Sequence, residues 1–217
     1  MTDHAATTTP AAGLLAKVLT VSDGVDAGTR DDRSGRALVE RLTAEGFEVV
    51  EHRVVADGRQ NVGEAIVELA EGFLGVIVTT GGTGFGPRDN TPEGTRVVLD
   101  REAPGLAEAM RLVNPLGRLS RGVAGARGTA LVLNAPGSTS GAVECLEAVI
   151  EVVPHAIRLM AGDLPPEGAP VVADTIVPHH DHSRRRGPHG PGPGRGDRLA
   201  PAGRAPALGR CGARPGR

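Results

Sequence analysis

The passage from Leu74 to Glu93 constrains this chain more than any other. Leu74–Thr79 (LGVIVT) is nearly all apolar, as a strand covered on both faces has to be. It runs directly into Thr80-Gly81-Gly82-Thr83-Gly84-Phe85-Gly86, then Pro87-Arg88-Asp89-Asn90, then Thr91-Pro92-Glu93. The last three residues read as an N-cap, a proline at the first helical position and an acid in the first turn. A buried strand, a glycine-rich turn and a helix start in that order make the βα unit of a parallel sheet, whose ligands sit at the carboxyl ends of strands. Four glycines within six residues let the backbone approach a ligand and turn its N–H groups towards an anion. The helix start adds a positive dipole end, and Thr80 and Thr83 can hydrogen-bond phosphate oxygens. The loop is not a dinucleotide fingerprint, because Gly82-Thr83-Gly84-Phe85-Gly86 lacks the third glycine at the required spacing. It is not a P-loop either, since the only lysine of the chain is Lys17.

The flanking sequence repeats the strand–helix alternation. Lys17–Ser22 and Phe47–Val55 read as strands, Ser34–Glu45 (closed by Gly46) and Gln60–Gly72 as amphipathic helices, and Asp26–Asp32 as a loop. Gly105–Val113 reads as a helix, Gly122–Arg127 and Thr129–Leu133 as strands, and Asn134–Ser138 as a loop. Ala142–Ala161 reads as a helix divided at Pro154. The pattern predicts an α/β chain of three layers, α/β/α, around a mostly parallel sheet.

Charge and composition divide the chain. Residues 1–167 hold 15 basic and 23 acidic groups, whereas 168–217 hold 9 Arg against Asp174, Asp181 and Asp197. That second stretch carries 10 Gly and 8 Pro in 50 residues, too little apolar surface to offset its ordering entropy. The expected organisation is a flexible N-terminus (1–13), one domain (14–167) and a disordered Gly/Pro/Arg/His-rich tail (168–217). His179, His180 and His182 offer the tail a metal-binding reading, and Arg184–Arg186 a nucleic-acid one. The acidic domain, with three Phe and neither Tyr nor Trp, argues against nucleic acid as a partner. Cys145 and Cys211 have no metal-ligand or disulfide spacing, and no apolar run is long enough for a signal or a membrane span. The expectation is a cytoplasmic protein.

Two carboxylates sharpen the chemistry. A carboxylate such as Asp89 inside a phosphate-cradling loop is adverse by roughly 4 kcal/mol at 4 Å and an effective dielectric near 20. A bridging divalent cation removes that repulsion, which points to Mg²⁺. Asp57, in Val54-Val55-Ala56-Asp57-Gly58, ends a strand at the same sheet edge. For each acid the competing role is to cap the helix that follows.

These residues resemble a known family. Ser22-Asp23, Asp31-Asp32-Arg33-Ser34-Gly35, Val55-Ala56-Asp57 and above all TTGGTG followed by Asp89-x-Thr91-Pro92-Glu93 are similar to the Mog/MoaB molybdopterin adenylyltransferases and the gephyrin G domain. Leu119-Ser120-Arg121 and Leu133-Asn134-Ala135-Pro136-Gly137-Ser138 match in order, and the resemblance spans about residues 15–163. It implies transfer of AMP from Mg-ATP to the terminal phosphate of molybdopterin with release of pyrophosphate. The adenylylated pterin would then receive molybdate from a separate insertase. It also implies a homotrimer, catalytic and Mg²⁺-holding roles for Asp57 and Asp89, and a site lined by Ser22, Asp23, Thr80, Gly81, Gly82, Thr83, Gly84, Ser120, Pro136, Gly137 and Ser138. Many members have Pro-Gly-x-Pro after the late strand, where this chain has Pro136-Gly137-Ser138-Thr139. The alternative functions are a non-catalytic molybdopterin carrier and a CinA-like nucleotide hydrolase.

Overall fold

The computed structural model describes residues 11–162, so the readings of the tail, its histidines, its arginines and Cys211 lie outside the described residues. In chain order the elements are β1 (Leu15–Val21), α1 (Asp23–Asp26), α2 (Arg33–Glu45), β2 (Glu48–Val55), α3 (Arg59–Ala70), β3 (Gly75–Thr80), α4 (Thr91–Arg96), β4 (Arg101–Glu102) and α5 (Pro104–Leu112). A 3-10 turn at Pro115–Leu119 follows, then β5 (Ala124–Arg127), β6 (Ala130–Ala135), α6 (Thr139–Glu147) and α7 (Val153–Ala161). Among the described residues no helix is long and apolar enough to cross a membrane.

The sheet has six strands in the order β2-β1-β3-β6-β5-β4. The first four run parallel, and β5 and β4 close one edge antiparallel. Alternation along each central strand sorts the side chains into two layers. Ala16, Val18, Val76, Val78, Leu131 and Leu133 pack under α2, α5, α6 and α7. Leu19, Val21, Ile77, Ala130 and Val132 face α3, which buries Val62, Ile66 and Leu69 against them. β3 is buried at every residue, as its unbroken apolar run requires. The three-layer α/β/α fold follows from that double covering.

Local departures from the sequence reading have physical causes. The loop expected from Asp26 is preceded by α1, a single turn that Ser22 starts by accepting a bond from the Val25 amide at 3.4 Å. Asn90, not Thr91, occupies the cap position of α4, so Pro92 falls one residue further in. Asn134 belongs to β6 because its amide side chain is absorbed in the interior. Its Nδ2 donates to Thr79 Oγ1 and Thr95 Oγ1, both at 3.0 Å, and its Oδ1 accepts from the Val123 amide. The helix expected over 142–161 is two helices, interrupted over 148–152, and Pro154 sits in the first turn of the second. Packing also starts before residue 14, with Ala11 fully buried.

Candidate active site

The parallel strands β1, β3 and β6 end side by side, and above their carboxyl ends lies a cavity of about 1000 Å³. Every residue expected at the site lines it except Asp23. The turn after β1, the glycine loop after β3 and Pro136–Ser138 after β6 meet here, joined by the start of α2, Asp57 just beyond β2 and the 3-10 turn.

The glycine loop can be built only from these residues. Gly81 has φ +104° and Gly82 φ +61°, and a methyl group at Gly81 would collide with the Val21 carbonyl oxygen. One at Gly82 would collide with the Thr91 hydroxyl and stand 3.2 Å from Asp57 Oδ1. The loop is tied to its neighbours by Gly81 N–H to Ala135 O and Thr91 N–H to Gly82 O. The amides of Gly82, Thr83 and Gly84 make no hydrogen bond with any described residue, so the cavity wall carries uncommitted donors. Thr80 differs from its expected role: it is fully buried and its hydroxyl donates to Pro136 O at 2.8 Å, joining two of the loops rather than facing a phosphate.

Both carboxylates are positioned by backbone. Asp57 Oδ2 accepts from the Asp23 amide at 2.8 Å, and the Asp57 amide donates to Asp23 Oδ1 at 3.1 Å. This reciprocal pair excludes a capping role for Asp57, and the actual cap of α3 is Gly58. Asp23 thus acts from behind, and Arg88 fixes it in turn. The guanidinium donates to Asp23 Oδ1 at 2.7 Å and to Asp57 O at 2.9 Å. Its hydrogen bond to Asp23 holds that carboxyl below the usual range. Asp89 Oδ2 accepts from the Gly86 amide at 2.8 Å. Methyl groups at Gly84 and Gly86 would lie 2.8 and 2.9 Å from that oxygen, so both glycines make room for the carboxylate. Asp57 Oδ1 and Asp89 Oδ1 accept no hydrogen bond from any described residue.

Arg121 staples the loop from the side. Its amide donates to Thr83 O at 2.9 Å and its Nε to Gly84 O at 2.6 Å, while its Nη atoms reach Asp89 O and the Glu93 carboxylate. The guanidinium also lies 5.6 Å from the ring centroid of the exposed Phe85. Burial is the largest single effect on Glu93 and works against its charge, but the Arg121 hydrogen bond, a backbone hydrogen bond and the Arg121 and Arg96 charges together hold the carboxyl below its ordinary value. Nothing in the sequence singles out Arg88 or Arg121 as structural partners of the acids; Arg121 stands beside Ser120 in the Leu119-Ser120-Arg121 segment, and Arg88 inside the glycine loop. Thr91 Oγ1 and Glu93 Oε2 are buried without a partner next to this staple.

Among the described residues no group of three His, Cys, Asp or Glu could enclose a metal ion. The donor set offered is two carboxylates with one free oxygen each, which suits a hard cation that takes its remaining ligands from phosphate and water. Cys145 lines the cavity floor but donates to Met110 O, and burial, helped by the Glu144 charge, pushes its thiol up to about 11. It is not a nucleophile at neutral pH.

A parallel three-layer fold with anion-directed amides and two half-free carboxylates at the strand ends defines a phosphate-handling α/β domain. Residues 17–155 match the family described as "Probable molybdopterin binding domain". The molybdopterin adenylyltransferase of Helicobacter pylori J99 is 36% identical over 153 residues, covering 67% of this chain and 87% of the relative. That of Escherichia coli K12 is 34% identical over 176 residues, covering 72% and 90%. The crystal structure of the molybdopterin biosynthesis enzyme MoaB from Thermus thermophilus superposes with a TM-score of 0.65 at 48% identity, covering 69% of this chain and 97% of that one. The chain belongs to the molybdopterin-binding domain family that includes the Mog/MoaB adenylyltransferases.

Proposed function

We propose that this protein acts in molybdenum cofactor biosynthesis, as a molybdopterin adenylyltransferase. The observation that carries the reading is the convergence of Asp57, Asp89 and the uncommitted amides of Gly82–Gly84 on one cavity. A terminal phosphate oxygen of molybdopterin attacks the α-phosphorus of ATP and forms the new P–O bond. The bond from that phosphorus to the oxygen bridging towards the β-phosphate breaks, and its electron pair leaves on pyrophosphate. No protein nucleophile is needed, which agrees with the inert Cys145 thiol. The protein's part is positioning and charge stabilisation. The loop amides receive phosphate oxygens, and Asp57 and Asp89 would hold Mg²⁺ through their free oxygens. Bound there, Mg²⁺ supplies the positive charge that lets two polyanions approach each other. Asp23 and Arg88 keep Asp57 in register, and Arg121 keeps the loop in the shape that presents its amides. The same reading has a cytoplasmic homotrimer that passes adenylyl-molybdopterin to a molybdate insertase.

The test is formation of adenylyl-molybdopterin and pyrophosphate from ATP and molybdopterin, with and without Mg²⁺. Asp89→Ala is expected to lower turnover by about 10²–10³-fold while the fold persists. Near-normal turnover in that variant would sink the assignment of the carboxylate. Tight molybdopterin binding without product in any metal would return the protein to a carrier, and ATP hydrolysis without molybdopterin to a nucleotide hydrolase.

A further inference from the structure

The adenylyl-transfer reading leaves one wall of the cavity unused, at the start of α2. Arg30, Arg33 and Ser34 all line the cavity, and among the described residues the two arginines are its only cationic side chains. Neither guanidinium has an ion pair or a hydrogen bond with a described residue. In contrast, Arg88 and Arg121 are spent on Asp23, Glu93 and loop carbonyls. Ser34 is 8% exposed, and its hydroxyl makes no hydrogen bond to any described residue. Among the described residues the side-chain atoms buried without a partner are Thr91 Oγ1 and Glu93 Oε2, so the Ser34 hydroxyl keeps contact with the solvent of the cavity, which a ligand can replace.

The backbone reinforces this. Ser34 lies in the first turn of a 13-residue helix, where geometry leaves its N–H without a helical carbonyl. The cap carboxylate of Asp32 is occupied elsewhere. Its Oδ1 accepts from the Gly35 amide at 2.7 Å, and its Oδ2 accepts from Thr20 Oγ1 at 2.6 Å and lies 2.9 Å from His52 Nε2. Asp31 and Asp32 also line the cavity, so the two arginines face two carboxylates, of which Asp32 is already engaged by Thr20 and the Gly35 amide.

Resting on the adenylyl-transfer reading, we propose that Arg30, Arg33 and Ser34 form a second oxyanion subsite that takes a phosphate group presented without a metal. Asp57 and Asp89 can receive phosphate only through a cation, whereas this wall receives it directly, by charge-assisted hydrogen bonds. Joining two phosphate-bearing substrates requires two such receptors. The phosphate has two possible sources, the monoester of the pterin and the polyphosphate of ATP.

The probe is inorganic pyrophosphate titrated calorimetrically into the full chain in EDTA, so that no cation bridges the anion to Asp57 or Asp89. Arg30→Gln/Arg33→Gln is expected to weaken binding by about 10-fold or more, and Ser34→Ala by several-fold. Arg33→Lys should restore much of the loss in the arginine series. Arg59→Gln, a surface arginine outside the cavity, should change nothing. Steady-state kinetics then identify the source: a raised KM for molybdopterin alone marks the monoester, and a raised KM for ATP alone the polyphosphate. The proposal is overturned if wild type does not bind metal-free pyrophosphate, if the double variant and Ser34→Ala both bind it like wild type, or if Arg59→Gln weakens it equally. If wild type forms no adenylyl product at all, the catalytic reading fails, and the titration still decides the subsite.

Discussion

Two walls of the same cavity are built on different electrostatic terms. In the wall formed by the glycine loop nearly every charge is committed: Arg88 to Asp23, Arg121 to Glu93, and Asp89 to the Gly86 amide. In the wall at the start of α2, Arg30 and Arg33 are unpaired and Ser34 has a hydroxyl with no partner among the described residues. The first wall is preorganised, with its ion pairs shaping a backbone whose amides do the binding. The second keeps its cations for the ligand. A site that must bring two phosphates together uses both arrangements, because fixed dipoles stabilise charge without reorganising, whereas uncommitted guanidiniums donate charge-assisted hydrogen bonds to the ligand itself.

The contrast is broken most severely at Gly81. With φ at +104° and the Val21 carbonyl in the way, Gly81→Ala is expected to cost about 3 kcal/mol or more, and a domain of this size should lose roughly 6–12 °C in Tm. Adenylyl transfer should fall with it, because the amides beyond Gly81 are displaced. Thermal melting and turnover of the same preparation check both. A variant that melts like wild type would show that the close approach to Val21 is not needed.

Arg121→Ala comes next. It removes the guanidinium's bonds to Gly84 O, Asp89 O and Glu93 while leaving every cavity-facing carboxylate in place. The expected loss is about 2 kcal/mol of stability, together with a KM for ATP raised more than kcat is lowered, since loop shape and not a reacting group is lost. Arg121→Lys should rescue little, because a single ammonium cannot reach three acceptors in a planar fork.

One wall is much more legible in the sequence than the other. The apolar run Leu74–Thr79 and the glycines after it reveal a buried strand and its loop, because strand burial and positive φ are local demands. Asp57 and Asp89 are readable as carboxylates at strand ends. What holds them is not: Arg88 lies 31 residues from Asp57, and Arg121 lies 37 from Gly84. Asp23, expected to line the cavity, instead braces Asp57, a distinction made by one pair of reciprocal backbone bonds. Thr80 reads as a phosphate donor and Asn134 as the start of a loop, yet tertiary partners take their polar atoms. Ser34 and Arg33 lie within a recognisable segment, but only the fold shows that both line the cavity.

The mildest test separates the walls by pH. Glu93 titrates below its ordinary value of 4.5 in the folded chain, because burial, the largest single effect, is outweighed by the Arg121 hydrogen bond, a backbone hydrogen bond and the Arg121 and Arg96 charges taken together. A carboxyl whose pKa is lower folded than unfolded adds stability that is complete above the unfolded value and disappears as pH falls through the folded one. The Tm difference between wild type and Glu93→Gln should therefore be constant from pH 8 to about 5.5 and shrink below pH 4.5. It should amount to no more than about 1 kcal/mol, because the pair is partly open to solvent. Asp23, lowered by its hydrogen bond to Arg88, titrates in the same direction, so both anchors of the glycine loop weaken together in acid. The unpaired arginines of the α2 wall have no such partner to lose. Metal-free pyrophosphate binding by that wall should outlast the weakening of the loop's anchors, read as titrations at about pH 7 and at a pH well below 4.5 where the protein is still folded.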